Sequence, residues 1–155
     1  MQKEVLIAGA GVIGCLLGKS LKKKNISFKI LEKNPQPFKN PSRTVALTSD
    51  SIRFLNTVDS KLDLNAWATP VNSMNLFQDA AQALSLDSDQ EKISSICALD
   101  DLHEKLLNDL NDDISWDTAI NSMSNDKLIE VSTSNGNYSG PVSYTHLRAH
   151  ETVRN

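Results

Sequence analysis

Glu4-Val-Leu-Ile-Ala-Gly9-Ala-Gly11-Val-Ile-Gly14 is the stretch that decides the fold. A short apolar run ending at glycine suits a buried parallel strand. Gly9, Gly11 and Gly14 then form the G-x-G-x-x-G pattern. Beyond it Ile13, Leu16, Leu17 and Leu21 recur at helical spacing, while Lys19 and Lys22 to Lys24 fall on the other side or at the end. Cations in the last turn suit a helix C-terminus, and Asn25 suits a left-handed cap. Ser27-Phe-Lys-Ile-Leu-Glu32 reads as a second strand. Strand, glycine turn, helix and strand make a βαβ half-unit with the fingerprint in its required place. The expected fold class is therefore α/β and Rossmann-like.

The same residues carry a chemical expectation. Gly9 permits the tight turn out of the strand, Gly11 leaves room for a pyrophosphate at the backbone amides, and Gly14 allows close helix–strand packing. The helix start supplies unsatisfied N–H donors, including those of Val12 and Ile13, and a positive dipole end. Glu32 ends the second strand 18 residues after Gly14, where a carboxylate can accept from a ribose diol. An acid there repels a 2′-phosphate, which favours FAD or NAD over NADP. Two other readings stay open. The glycines can form a helix-packing turn with an incidental glutamate. Alternatively, Lys3, the apolar stretch Val5–Leu17 and Val12-Ile-Gly-Cys15 imitate a lipoprotein signal peptide. Against the latter, Glu4 borders the apolar run and the helix pattern continues past Cys15 into a second strand.

Composition bounds the rest. The chain has 155 residues, 39% hydrophobic and 23% charged, with a net charge of −3. These values exclude a disordered acidic tail, a collagen-like repeat and a polytopic membrane protein, and give no basic field for nucleic acid. No apolar run approaches the length of a membrane span. Cys15 and Cys97 form no disulfide framework, have no metal-ligand spacing and suit a reducing cytosol; no metal site is expected. Four of the six glycines lie within the first 18 residues.

Pro141-Val-Ser-Tyr-Thr-His-Leu-Arg-Ala-His-Glu-Thr152 does not read as a continuation. It resembles, residue for residue, one translated frame of a transposase-type sequencing adapter. Its removal takes His146 and His150 out of any catalytic or metal argument and leaves residues 1–140 with a net charge of −4. The expected organisation is residues 1–140 as a partial domain, truncated before it is complete, followed by a non-native tail over 141–155.

After a loop punctuated by Asn34, Pro35, Pro37, Asn40, Pro41 and Ser42, the segment Arg43–Leu55 predicts a short strand and then a helix capped by Thr48 or Ser49. The glycine turn, the Leu31-Glu32-Lys33 strand end and the Arg43-Thr-Val-Ala-Leu-Thr-Ser49 segment together resemble the ubiquinone-biosynthesis hydroxylases. These are FAD-dependent aromatic monooxygenases of the para-hydroxybenzoate-hydroxylase type. The resemblance covers residues 1 to about 140, under half of a full member, and extends more weakly over Ile96–Leu110, where the family has a helix beneath the flavin.

The resemblance implies a Rossmann-like FAD-binding fold with additional β-strands. It also implies FAD as cofactor, NADH or NADPH as electron donor, and transfer of one oxygen atom from O₂ to a phenol-like ring of a quinone precursor. By position, Gly9, Gly11, Val12, Ile13 and Gly14 would face the pyrophosphate. Glu32, with Lys33 beside it, would lie at the adenosine ribose, and Arg43 would lie toward the flavin. An apolar substrate implies a cytoplasmic protein with peripheral membrane contact. The isolated chain is expected to be inactive. The alternatives are another FAD- or NAD-dependent Rossmann oxidoreductase, or a nucleotide-binding module without catalysis. Leu99 departs from the polar residue usual at its place in the family, and His103 reads as a solvated helix residue rather than a base.

Elsewhere the signals are thinner. Val71–Phe77 and Ala83–Leu86 suit strands, with a turn over Asp87–Gln90. Alternation over 114–120 and 128–133 suits two strands, and Asn135-Gly136 a hairpin turn. A helix is expected over Asp100–Leu110, with Leu102, Leu106 and Leu110 inward. The Asp- and Asn-rich stretches 108–113 and 121–126 read as solvated loops, without the ligand spacing of a calcium site.

Overall fold

The computed structural model describes residues 5–35, 43–78, 81–87, 92–125, 129–140 and 142–145. The chain divides into two units, one formed by Met1–Phe38 with Leu106–Asn155 and the other by Lys39–Lys105.

In the first unit, β1 (Val5–Ala8), α1 (Val12–Lys23) and β2 (Phe28–Leu31) form the expected βαβ start. β1 and β2 pair in parallel, Val5 opposite Phe28 and Ile7 opposite Ile30. Their side chains therefore divide between two faces. Phe28 and Ile30 lie under α1 at Gly18, where an added Cβ would come within 3.0 Å of Ile30 Cδ1 and 3.1 Å of Phe28 Cε2. Leu6 and Leu31, on the opposite face, pack with Val131, Ile129 and Tyr138. Both faces of the sheet are thus covered, which is why its strands read as apolar runs rather than as an alternation.

α1 ends as its sequence predicts. Asn25 has φ 56°, and the N–H groups of Asn25 and Ile26 donate to the carbonyls of Lys22 and Leu21, the paired bonds of a Schellman cap. Lys22 Nζ donates to Asp113 at 2.9 Å and to the Asp109 carbonyl, and Lys29 Nζ donates to the Asp112 carbonyl at 3.0 Å. The acidic stretch before β8 (Ile114–Ser115) is therefore tied to α1 and β2, with Asn111–Asp113 as a single 3₁₀ turn.

The parallel sheet runs β12-β1-β2-β8, where β12 is Val142–Thr145. These four residues lie inside the adapter-like stretch. A main-chain ladder is made by N–H and C=O groups common to every non-proline residue, so pairing at this position demands little of the side chains. An antiparallel meander, β9 (Ile120–Asn125), β10 (Ile129–Thr133) and β11 (Gly136–Gly140), completes the unit in the order β11-β10-β9.

Two expectations change here. The alternation over 114–120 does not make one strand, because Asp117 turns the chain with φ 51°. Residues 121–125, expected as loop, are strand, because β10 supplies the ladder and Ser122 and Ser124 lie opposite Ser132 and Glu130. Polar side chains are compatible with the open face of an antiparallel sheet. Residues 126–128 lie outside the described residues.

In the second unit, β3 (Thr44–Thr48) and β4 (Thr69–Val71) flank β7 (Ser94–Ala98) in an antiparallel sheet. α2 (Ser49–Val58) starts at the expected Thr48 cap, whose Oγ1 accepts from the Ser51 N–H at 3.3 Å, and buries Ile52 and Leu55. β7 is a strand that the sequence did not announce, since Ser94 and Ser95 are buried while Ile96 between β3 and β4 is 38% exposed. The helix expected over 100–110 is α3 (Leu99–Leu107), whose residues from Leu106 onward belong to the first unit; Leu102, Leu106, Leu107 and Leu110 are buried. His103 lies on it half-buried.

β5 (Ser73–Gln78) and β6 (Ala81–Asp87) pair as a separate two-stranded ribbon. Asp87, expected in a turn, closes β6; the remainder of that expected turn lies outside the described residues. One face carries the opposed pairs Met74–Leu86 and Leu76–Leu84, each side chain 40–48% exposed. The other carries Phe77, 65% exposed, beside a polar group in which Asn75 Oδ1 accepts from Gln82 Nε2 at 3.0 Å and Ser85 Oγ at 2.8 Å.

Candidate functional site

The site is built by the turn between β1 and α1 and by the residues that follow β2. Gly9 leaves β1 with φ +96°, a conformation that side chains other than glycine rarely adopt. Gly11 then acts as the N-cap with φ −71°, and the first helical bond runs from Cys15 N–H to the Gly11 carbonyl at 2.9 Å. The Val12, Ile13 and Gly14 amides precede that bond, so they are the donors a helix start leaves over.

The glycines differ in what they permit. An added Cβ at Gly11 would meet nothing within 4 Å. One at Gly14 would lie 2.0 Å from the Gly9 carbonyl oxygen and 3.5 Å from Ile7 Cγ2. Gly14 therefore permits the first helical turn to sit on the loop carbonyl as well as on β1. Gly18, one turn later, is the glycine that brings α1 onto β2, a role not assigned from the motif. Open space beside Gly11, in front of backbone donors at a helix start, is the cradle that a diphosphate requires.

Glu32 lies at this turn. Its Oε2 accepts from the Ala10 N–H at 2.8 Å, and its Oε1 accepts from Asn34 N–H at 3.0 Å and Asn34 Nδ2 at 2.7 Å. Main-chain bonds hold the segment in place. Glu32 N–H donates to the Ser115 carbonyl, Thr118 N–H to the Glu32 carbonyl and Asp117 N–H to the Asn34 carbonyl. That turn is itself gripped by Asn135, whose Nδ2 donates to the Asp117 carbonyl at 2.7 Å and to Thr118 Oγ1 at 3.1 Å. The sequence marked Glu32 alone. Asn34, the Ala10 amide and the 115–118 turn become visible only when the chain is folded.

Cys15, immediately after the motif, is fully buried and donates its thiol to the Ala10 carbonyl at 3.3 Å. Burial pushes its pKa up to about 12, with Lys19 opposing and Glu32 adding to the rise. Such a thiol is a packing group rather than a nucleophile. The Cys97 thiol is also raised, by burial and then by Asp101.

The structure thus brings Gly9, Gly11, Val12, Ile13, Gly14 and Glu32 together in the first unit. Lys33 follows Glu32 and is exposed. Arg43 belongs to the second unit, where it is exposed ahead of β3 and its carbonyl accepts from Leu99 N–H at 3.0 Å. Among the described residues no three His, Cys, Asp or Glu side chains group to hold a metal ion, and no helix is long and apolar enough to cross a membrane.

Residues 2–132 match the FAD binding domain family. The fold is similar to p-nitrophenol 4-monooxygenase from Pseudomonas putida DLL-E4, with TM-score 0.79 and 17% identity over 99% of this chain and 43% of that one. It is also similar to 2,6-dihydroxypyridine-3-hydroxylase from Arthrobacter nicotinovorans, with TM-score 0.73 and 15% identity over 92% of this chain and 36% of that one. A third similar structure is the flavin-dependent monooxygenase PieE in complex with FAD and substrate, with TM-score 0.75 and 10% identity over 92% of this chain and 30% of that one. The chain spans less than half the length of each of these solved chains. No curated protein matches it in sequence.

Proposed function

The chain belongs to the FAD binding domain family, and on that premise we propose that it is the FAD-binding part of a flavin-dependent monooxygenase that hydroxylates an aromatic ring. In this reading FAD rests on the family match and the monooxygenase chemistry on the similar solved structures. The observation that carries its nucleotide-binding part is the placement of the Glu32 carboxylate 2.8 Å from the Ala10 amide of the glycine turn. That placement puts an acceptor for a ribose diol next to the donors for a diphosphate. Gly9, Gly11 and Gly14 shape the turn, and the Val12 and Ile13 amides donate to the pyrophosphate. Glu32 holds the adenosine ribose with Lys33 at its margin, and Arg43 serves the flavin side. FAD, when bound, supplies the redox chemistry, taking electrons from NADH or NADPH and activating O₂. The chain's own contribution is to orient the cofactor and to discriminate against a 2′-phosphate at Glu32.

The resemblance in the Arg43–Ser49 segment favours a phenol-like ubiquinone precursor as substrate and a cytoplasmic enzyme that meets the membrane surface peripherally. Residues 1–155 alone bind the nucleotide portion without turnover. The test is purification of the longer protein that carries this sequence. Bound FAD, with NAD(P)H oxidation stimulated by a phenolic quinone precursor, supports the reading. A colourless protein holding NAD overturns it. Phenol-stimulated NAD(P)H oxidation by the 155-residue chain above free flavin overturns the inactivity of the piece.

A further inference from the structure

We propose that Asn34 is a positioning residue for the ribose-holding carboxylate, and that its grip leaves Glu32 one open acceptor position, on Oε2, for a single ribose hydroxyl. The proposal rests on the reading of Glu32 given above. A carboxylate offers about four lone-pair sites, two on each oxygen. Both sites of Oε1 are taken by Asn34, through its N–H at 3.0 Å and its Nδ2 at 2.7 Å. One site of Oε2 is taken by the Ala10 amide at 2.8 Å. Among the described residues one site remains, on the oxygen that faces the glycine turn.

The clamp is held from behind by main-chain bonds that do not involve the Asn34 side chain. The Asn34 carbonyl accepts from Asp117 N–H at 3.0 Å, and Glu32 is bonded on both sides to Ser115 and Thr118 at 2.9 and 2.8 Å. Asn34→Ala therefore deletes one donor to Oε1 while its backbone N–H donor and the supporting turn stay in place. What is weakened is the restriction of the carboxylate to one rotamer, since the Ala10 and Asn34 main-chain donors remain. A less restricted glutamate must give up more rotamer freedom when the nucleotide binds.

Calorimetric titration of the 155-residue chain with ADP, 2′-deoxy-ADP and 3′-deoxy-ADP tests both parts. In the parent chain one of the two deoxy nucleotides binds about three- to tenfold more weakly than ADP while the other binds like ADP. Equal weakening by both overturns the single acceptor. Asn34→Ala weakens ADP by about three- to tenfold, and that penalty disappears with the deoxy nucleotide that has lost its contact. The same penalty with all three nucleotides denotes a merely structural role and overturns the positioning role. Unchanged or tighter ADP binding by Asn34→Ala, while Glu32→Ala binds more weakly, overturns the role of Asn34 alone. Unchanged ADP affinity in Glu32→Ala, or no ADP binding by the parent, overturns the ribose reading together with the proposal.

Discussion

Replacing Gly14 and Gly11 separately by alanine should divide stability from binding. At Gly14 the new Cβ would sit 2.0 Å from the Gly9 carbonyl oxygen. An ordinary contact needs more than about 3 Å, so backbone must move by about 1 Å against backbone, with no flexible side chain to absorb the shift. Overpacking of this kind costs about 3 kcal/mol, and about 1 kcal/mol returns through the better helix propensity of alanine. The net loss of about 2 kcal/mol lowers the folding constant about 30-fold and moves a urea midpoint by about 1 M. At Gly11, φ is −71° and nothing lies within 4 Å of the new Cβ. Stability there should change by less than about 0.5 kcal/mol, the poorer N-cap being offset by a stiffer unfolded chain. Yet ADP affinity should fall at least about tenfold, because the methyl group fills the approach to the helix-start amides. Urea unfolding followed by circular dichroism reads the first quantity and calorimetric titration with ADP the second. A Gly14→Ala protein as stable as the parent, or a Gly11→Ala protein that binds ADP normally, would refute the reasoning.

Further outcomes are expected from the same structure. Thr48→Ala removes the side-chain cap of α2 and should cost about 1 kcal/mol, read as a lower urea midpoint, while Thr48→Ser should recover most of it. The Cys15 thiol is held to about 12 against 9.0 for an unperturbed thiol. Its contribution to stability is therefore complete below about pH 9 and is lost as pH rises toward 12. The urea midpoint should fall more steeply over that window in the parent than in Cys15→Ala, and equal slopes would contradict the burial. Leu76→Thr with Leu84→Thr replaces one opposed pair on the open face of the β5–β6 ribbon. Since both side chains are nearly half exposed, stability should change by less than about 1 kcal/mol, whereas binding of a hydrophobic dye and aggregation on heating should both drop.

The β1–α1–β2 unit was legible because its instructions are local. Gly9 and Gly14 fix a turn within a few residues, and the Asn25 cap needs only the two carbonyls before it. Thr48 was legible for the same reason, as a hydroxyl three residues from the amide it satisfies. The buried face of α1, however, is Gly14, Cys15, Leu16, Gly18 and Lys19 rather than the expected stripe of Ile13, Leu16, Leu17 and Leu21. Gly14 and Gly18 are the residues that seat the helix on the strands, and Ile13 is left 44% exposed. Glu32 could be marked as the acid, but its orientation could not. Ala10 lies 22 residues upstream of it, and the 115–118 turn that fixes its main chain is farther away still. Tertiary structure alone decided β7, whose buried Ser94 and Ser95 and half-exposed Ile96 reverse the usual burial pattern. It also decided β9, where a polar stretch becomes strand because β10 offers a ladder. Short-range hydrogen bonding and periodicity are encoded where they act, whereas strand partners and carboxylate geometry depend on segments that meet only after the chain has collapsed.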